Sequence, residues 1–386
     1  MRTAAIVCEY DPLHLGHVRQ YRLARQTLGE DARIVCLMSG SFVQRGRPAV
    51  IDAPTRARAA VESGADLVLE LPLTASLSSA EGFAAGAVDV LDRLGAVDCL
   101  CFGCESGDGN LIMSTAERLR SGAFSEALRA RLPEGKSFAA TRQAALEAVG
   151  GNGTILRNPN DILAVEYCKA LLARGSGIEP LAVRREGGYH DTGIDPVNPS
   201  STALRALMPD PRWLDHVPEA ARPLFAEAKL HRIEWGERAI LARLRAMDDG
   251  EFEALPYGAE GLWRKLMAGS RRAGSLEELI ASVKSRRYAR ARIERMILCA
   301  FLGVREADLA APAPYVRALA FNGRGREILR EARTGGDIAI LHPGEAGEGR
   351  YFELEQRAAR LYPLFLPAQE FPAIPQKPRV FCAPED

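Results

Sequence analysis

Glu9-Tyr10-Asp11-Pro12-Leu13-His14-Leu15-Gly16-His17 is the stretch on which the reading of this chain turns. Before it stands the short apolar run Thr3–Cys8, a buried strand candidate, and after it the helical pattern His17–Leu28. The stretch is therefore a strand-to-helix turn carrying His-x-Gly-His. Such a turn suits a nucleotide. Gly16 lets a bulky ligand approach the backbone, the helix N-terminus offers unpaired N–H groups, and two imidazoles can donate to phosphate oxygens. The matching chemistry is nucleotidyl transfer: attack on an α-phosphate accumulates negative charge on its oxygens and on departing pyrophosphate, and donors fixed in place stabilise that charge without reorganising. The same tetrapeptide also arises by chance on surface or core histidines; its place at the end of the first strand favours the site.

Working outward, short β-rich runs alternate with longer helical ones. Strands are expected at Arg33–Met38, Leu67–Leu71 and Val97–Phe102, and helices at Pro54–Ser63 and at Ala80–Leu94, the latter entered through Ser78 and Ser79. This is the pattern of an α/β domain with a parallel sheet, right-handed crossovers and helices covering the sheet. Ligands in such sheets sit at the carboxyl ends of the strands. The segments Glu9–His17, Ser39–Arg47, Pro72–Glu81 and Gly103–Gly107 all fall there, which puts the pocket on that rim. From about Pro209 the composition turns arginine-rich and helical, with Trp213, Trp235 and Trp263 and helix candidates at Glu251–Met267, Leu276–Leu302 and Ala307–Arg333. A boundary near residue 205 divides a catalytic domain, 1–205, from a mainly α-helical C-terminal domain, 206–386. The tail Pro363–Asp386 carries six prolines and reads as an extended strap or a loose end.

The 386 residues hold 50 Lys plus Arg against 50 Asp plus Glu, a net charge of +0, so no global field draws the protein to nucleic acid and any RNA binding needs a local patch. Eight cysteines scattered mostly through apolar runs suit reduced thiols in a cytoplasmic protein better than a disulfide framework. Cys99, Cys101 and Cys104 lack the paired spacing of a zinc knuckle, and no metal site is expected from them. The N-terminal apolar run is too short for a signal peptide, and no run of about 18 uncharged apolar residues occurs, so no membrane partner is expected.

The blocks Ile6–Gln20, Met38-Ser39-Gly40-Ser41-Phe42-Val43-Gln44-Arg45-Gly46 and Gly64-Ala65-Asp66-Leu67-Val68-Leu69-Glu70-Leu71-Pro72 resemble the bacterial tRNA(Met) cytidine acetate ligase family. The resemblance continues through Ser79-Ala80-Glu81, Phe102-Gly103, Pro159-Asn160-Asp161-Ile162-Leu163, Gly188-Tyr189-His190-Asp191 and Lys284-Ser285-Arg286-Arg287-Tyr288, and so covers most of the chain. It implies a nucleotidyltransferase-like, ATP-binding Rossmann domain followed by a helical tRNA-binding domain. It also implies a two-step ligase reaction. ATP and acetate give acetyl-adenylate and pyrophosphate, and N4 of the wobble cytidine of elongator tRNA(Met) then takes the acetyl group, giving N4-acetylcytidine. The implied partners are elongator tRNA(Met), ATP with Mg²⁺, and acetate, with no DNA. Carried over by position, the ATP contacts fall on Val7, Cys8, Glu9, Tyr10, Asp11, Pro12, Leu13, His14, Leu15, Gly16, His17, Val18, Arg19 and Gln20, on Gly103 and Asn160, and on an arginine that is either Arg184 or Arg185. The chain departs from the family pattern Asn-Pro-Phe-His-Asn-Gly-His at Asp11, Leu13 and Leu15, and a bare carboxylate at Asp11 would repel phosphates unless Mg²⁺ intervened.

Further catalytic candidates beside His14 and His17 are Ser39, whose loop offers hydroxyls and N–H groups to acetate or the acyl phosphate, and Arg45, which would neutralise charge; the bland alternative is a surface loop. Asn160 reads either as a helix cap or as a contact to adenine or ribose. Glu70 and Glu81 read mainly as structural partners of arginines, and His190 with Asp191 as a turn. Lys284–Arg295 holds six basic residues and one acidic. As a helix it would align Lys284, Arg287 and Arg290 into a stripe, with Arg286 in reach of Arg290, to grip successive tRNA phosphates, while Tyr288 stacks on a base or packs beneath its own helix. Two other functions fit the same fold: nucleotidyl transfer to a small phosphorylated metabolite, and non-catalytic nucleotide sensing by an RNA-binding protein. The basic second half argues against the first, and the intact His14, Gly16 and His17 against the second.

Overall fold

The computed structural model describes residues 1–134, 137–184, 199–370 and 380–384. Ten strands follow in chain order: β1 (Thr3–Cys8), β2 (Arg33–Ser39), β3 (Phe42–Val43), β4 (Arg47–Pro48), β5 (Leu67–Leu71), β6 (Cys99–Cys104), β7 (Glu179–Arg184), β8 (Tyr315–Phe321), β9 (Ala339–Leu341) and β10 (Phe381–Cys382). Eight of them form one sheet in the order β10-β8-β5-β2-β1-β6-β7, with β9 also paired to β8, while β3 and β4 make a separate hairpin. All pairings in the main sheet are parallel except β5 with β8. The chain is thus an α/β protein whose sheet is mostly parallel, as the alternation in its first hundred residues requires.

The two faces are covered by different helices. Ala5, Leu37, Leu69 and Leu100 pack with the Ala80–Leu94 and Pro159–Arg174 helices. Ile6, Ile34, Cys36 and Val68 pack with the Leu15–Leu28 and Ala53–Glu62 helices. Because side chains alternate along each strand, both faces must be apolar, and all seven residues of β2 are buried. The sheet order changes direction at β1, whose neighbours are β2 and β6. The crevice for a ligand opens at the carboxyl end of such a strand.

The second half corrects the expected boundary at 205. Helices do dominate residues 206–311, and those at Leu262–Ser270, Leu276–Val283 and Arg290–Leu302 share a third core with Phe252 and Phe365. Yet Tyr315–Phe321 is a fully buried strand rather than the middle of a helix, and β8, β9 and β10 all belong to the sheet begun by the first half. Tyr-Val-Arg-Ala-Leu-Ala-Phe has the composition of either element; antiparallel pairing to β5, about 250 residues earlier in the chain, decides it. The tail is held in part by β10, which lies parallel to the end of β8.

One charged cluster sits where β5, β8 and the Gly349–Leu361 helix meet. Glu70 lies opposite Arg317 across the β5–β8 pair, but Arg317 turns to Glu355, 2.8 Å away, and Glu355 also accepts from the Tyr315 hydroxyl at 2.5 Å. Burial, then the Glu355 charge, push the Glu70 carboxyl up to about 7 against the pull of Arg317 and Arg56. A carboxyl that holds its proton better folded than unfolded makes stability fall as pH rises from its ordinary 4.5 through about 7. Glu70→Gln should therefore raise the melting temperature at pH 8 more than at pH 5, as read by thermal unfolding across that range; an equal shift at both pH values would contradict the cause given.

Candidate active site

The site begins with two histidines locked together. His14 caps the Leu15–Leu28 helix with an extended backbone, and its N–H donates to His17 Nδ1 at 3.1 Å. Their rings stack with centroids 3.7 Å apart and planes 24° apart, and Tyr10 lies 4.8 Å from the His17 ring. Tyr10 is itself fixed from below, where the Tyr21 hydroxyl donates to the Tyr10 hydroxyl at 2.5 Å. The pair stands where the N-terminal N–H groups of a 14-residue helix concentrate positive potential.

Arg56 fixes the rim around them. It is 0% exposed, and its guanidinium donates to the carbonyls of Ile51 at 2.8 Å, Ser39 at 3.0 Å, Glu9 and Gly40. The loops after β1 and β2 are thereby tied to one fork. The β3–β4 hairpin is tied to the loop after β1 in turn: the Gln44 N–H donates to Glu9 Oε1 at 2.7 Å, and Arg47 reaches Asp11 Oδ2 at 2.7 Å. Asp11 Oδ1 accepts from the Val50 N–H at 2.7 Å, while Arg205 reaches both Asp11 Oδ2, at 3.3 Å, and its carbonyl. Burial would raise the Asp11 carboxyl, but Arg47, Arg205 and the Val50 N–H outweigh it and hold the group below its usual range. Burial works the other way on Arg205, bringing it down to about 10 despite Asp11.

These elements enclose a cavity of about 470 Å³ at the carboxyl ends of β1, β6 and β7. That volume lies within the range of small-molecule sites. His14, Gly16, His17, Arg19, Gln20, Arg45, Gly103, Asn160 and Arg184 all line it, as do Val7, Cys8, Glu9, Tyr10 and Asp11. Four residues of the expected run do not: Pro12, Leu13, Leu15 and Val18. Leu13 is 0% exposed in the core and Val18 packs against the same cluster, because a helix entering over the sheet must turn part of its first turn inward. Ser39 is also corrected. It is 0% exposed, its hydroxyl accepts from Ser76 at 3.2 Å, its carbonyl is held by Arg56, and it is not part of the cavity wall. Of the two arginines left open, Arg184 lines the cavity and Arg185 lies outside the described residues, as do His190 and Asp191.

Asn160 is not the cap of its helix; Asn158 is. Glu105 holds Asn160 instead, accepting from its Nδ2 at 2.8 Å and its N–H at 3.2 Å. Arg47, Arg205, Tyr167 and the run Pro199–Thr202 also line the cavity without having been singled out from the sequence. The hydroxyl-rich Ser200-Ser201-Thr202 with an arginine three residues on was a usable signal for part of this group.

The basic segment is not one helix. Residues 284–289 link the Leu276–Val283 and Arg290–Leu302 helices, so the expected stripe does not form. Arg290 faces Glu277 and Glu294, each at 2.7 Å, and Arg287 lies 3.4 Å from Glu260. Tyr288 is 3% exposed, donates to the Glu260 carbonyl at 2.6 Å and lies under Lys265 and Arg292, so it anchors the loop and cannot stack on a base. Lys284 and Arg286 remain exposed beside it. Glu81 is a structural partner, 2.9 Å from Lys169.

The sequence profile of the HIGH Nucleotidyl Transferase family matches residues 1–374. The chain is 34% identical to a tRNA(Met) cytidine acetate ligase of Clostridium novyi over 88% of its length and 89% of that protein's. It is 33% identical to one from Clostridium perfringens over 95% and 96%. A crystal structure of Thermotoga maritima TmcAL bound with alpha-thio ATP superposes with a TM-score of 0.87 at 29% identity, covering 99% of this chain and all of that one.

Arg56→Lys keeps a positive charge but cannot reach four carbonyls. Leaving buried acceptors unpaired costs roughly 1–3 kcal/mol each, so the variant should lose at least about 2 kcal/mol of stability by that scale, read as a lower denaturation midpoint. A midpoint matching the parent's would mean the rim is held some other way.

Proposed function

Because the chain belongs to the tRNA(Met) cytidine acetate ligases within the HIGH nucleotidyl transferases, we propose that it activates acetate with ATP and transfers the acetyl group to N4 of the wobble cytidine of elongator tRNA(Met). It is an ATP-dependent ligase that acetylates tRNA cytidine. The observation that carries the reading is the stacked His14–His17 pair at a helix N-terminus, facing a cavity lined by Arg19, Arg45, Arg47, Arg184 and Arg205.

A carboxylate oxygen of acetate attacks the α-phosphorus of ATP. The new C–O–P link forms as the bond from the α-phosphorus to the bridging oxygen breaks and pyrophosphate departs. The cytidine amine then attacks the acetyl carbon, AMP leaves with the oxygen, and the amine loses a proton. His14, His17 and the helix N–H groups serve the α-phosphate and leaving group, where negative charge grows, and the arginines hold the triphosphate. Gly103, Asn160 and Arg184 serve the nucleoside end. Mg²⁺ enters as part of the ATP complex. Among the described residues the cavity's carboxylates do not add up to a protein-held site for it, since Asp11 is bonded to Arg47, Arg205 and the Val50 N–H, and Glu9 to the Gln44 N–H.

The ATP chemistry falls to residues 1–205 with the returning strands β8 to β10, and the tRNA contact to the helical residues after 206, with Lys284, Arg286 and Arg287 at its centre. A local basic loop, rather than net charge, draws the RNA. Among the described residues no helix is long and apolar enough to cross a membrane, and a cytoplasmic setting is the one that supplies ATP, acetate and tRNA together.

Protein incubated with ATP, labelled acetate and tRNA should label elongator tRNA(Met) and leave bulk tRNA blank; absence of label sinks the proposal. His17→Ala should lower acetate-dependent ATP–pyrophosphate exchange by roughly 100-fold or more, on the scale of losing a donor to transition-state charge, with tRNA affinity unchanged. Replacing Lys284, Arg286 and Arg287 with glutamine should do the reverse, weakening tRNA binding and flattening its salt dependence. Both variants losing both activities would refute the division of labour.

A further inference from the structure

Among the described residues, two side-chain donors on the cavity wall have no hydrogen-bond partner. Tyr167, on the Pro159–Arg174 helix, is 2% exposed, and its hydroxyl lacks a hydrogen-bond partner among the described residues. The same holds for the buried Nε2 of Gln44 at the tip of the β3–β4 hairpin. Both residues line the cavity. Both also border Glu9: its Oε1 accepts the Gln44 N–H, and its charge reaches the Tyr167 phenol. Burial first, then Cys8 and Glu9, keep that phenol well above its usual value, so it stays a donor.

A buried donor without an acceptor costs roughly 1–3 kcal/mol. Two such groups on the wall of one cavity are best explained by a ligand that supplies acceptors. Phe102 stacks on the Tyr167 ring at 5.9 Å and 27°, and Ala80, Phe83 and Leu163 add apolar surface to the cavity wall. The occupant therefore has acceptor atoms only and a small apolar end. A short carboxylate fits that description. A cytosine does not, because its amine also needs an acceptor and its tether to RNA must reach a residue that is almost wholly enclosed.

We infer that Tyr167 and Gln44 form the subsite for the acyl substrate, donating hydrogen bonds to a carboxylate oxygen of a short carboxylic acid whose alkyl group rests against Phe83 and Phe102. This rests on the adenylation reading and adds to it the residues that choose the acid. Glu9 Oε1 is already engaged by the Gln44 N–H at 2.7 Å, and burial raises the Glu9 carboxyl above its ordinary value. Once the other carboxylate oxygen has bonded to phosphorus, the same two donors hold the acetyl carbonyl. Negative charge then grows on that oxygen as the amine attacks.

The test is ATP–pyrophosphate exchange with acetate and ATP varied separately. A hydrogen bond to a charged group contributes about 1.5–3 kcal/mol, so Tyr167→Phe should raise the KM for acetate about tenfold or more. The KM for ATP should not move, and the melting temperature should hold or rise, because only an unpartnered hydroxyl is lost. Gln44→Met should act in the same direction, and the double variant further. An unchanged acetate KM in both single variants overturns the subsite, as does an equal rise in the KM for ATP, which would assign the donors to the nucleotide. If the parent protein itself shows no acetate-dependent exchange, the adenylation reading fails and takes the subsite with it. A working parent with indifferent variants condemns the subsite alone. Saturation-transfer NMR of acetate against the parent and Tyr167→Phe provides a reading independent of turnover: equal acetate binding by the two overturns the subsite.

Discussion

A guanidinium taken fully out of water must find acceptors for its donors, and Arg56 finds them in four backbone carbonyls. Those carbonyls belong to Glu9, Ser39, Gly40 and Ile51, at the ends of β1 and β2 and at the approach to the arginine's own helix. A single side chain therefore sets the spacing of the two loops from which the cavity is built. Gln44 and Arg47 fasten the hairpin to the first loop, and Arg45 is carried to the cavity between them. Were the fork replaced by a point charge, the histidines would keep their helix but lose their fixed relation to the arginines.

Electrostatics then separates two jobs that look alike in the sequence. Among the described residues five arginines line the cavity, yet Arg47 and Arg205 also answer Asp11, whose two oxygens and carbonyl are engaged. The carboxylate that seemed set to repel phosphates is thus an internal counter-ion. It offsets the repulsion between two closely placed cations and fixes both on the cavity wall. Truncating one member of so buried a group leaves the others uncompensated, and for that reason such clusters tolerate change poorly.

The first hundred residues were legible because their signals are local. Strand, turn and helix alternate within short windows, and Ser79 and Asp52 cap helices where hydroxyl and carboxylate caps are expected. The failures share a physical cause. β8 becomes a strand through pairing with β5, far away in sequence, and a local window over Tyr315–Phe321 cannot see that partner. Lys284–Arg295 looked like a helix face because charge count carries no information on partners, whereas Glu260 pairs with Arg287, Glu277 and Glu294 pair with Arg290, and the Glu260 carbonyl holds Tyr288 beneath the loop. Ser39 was placed on the right loop but on its inner side, a difference that depends on which way β2 is pleated. Tyr167 gave no signal at all, since a tyrosine in an apolar helix reads as core until its hydroxyl is seen to lack a partner.

The hairpin also brings the two halves of the chain into direct contact. Gly46 adopts φ 74°, and a Cβ there would stand 2.5 Å from the Arg295 nitrogen, so this position needs glycine both for its backbone turn and for its closeness to the Arg290–Leu302 helix. That helix starts where the exposed basic loop ends. Arg45, one residue before Gly46, is consequently braced on one side by the loop bearing His14 and on the other by the helix that follows the exposed basic loop. The hairpin is thus held by two tethers to the loop after β1 and by close backbone approach to the Arg290–Leu302 helix, so a displacement of either partner is carried directly to Arg45.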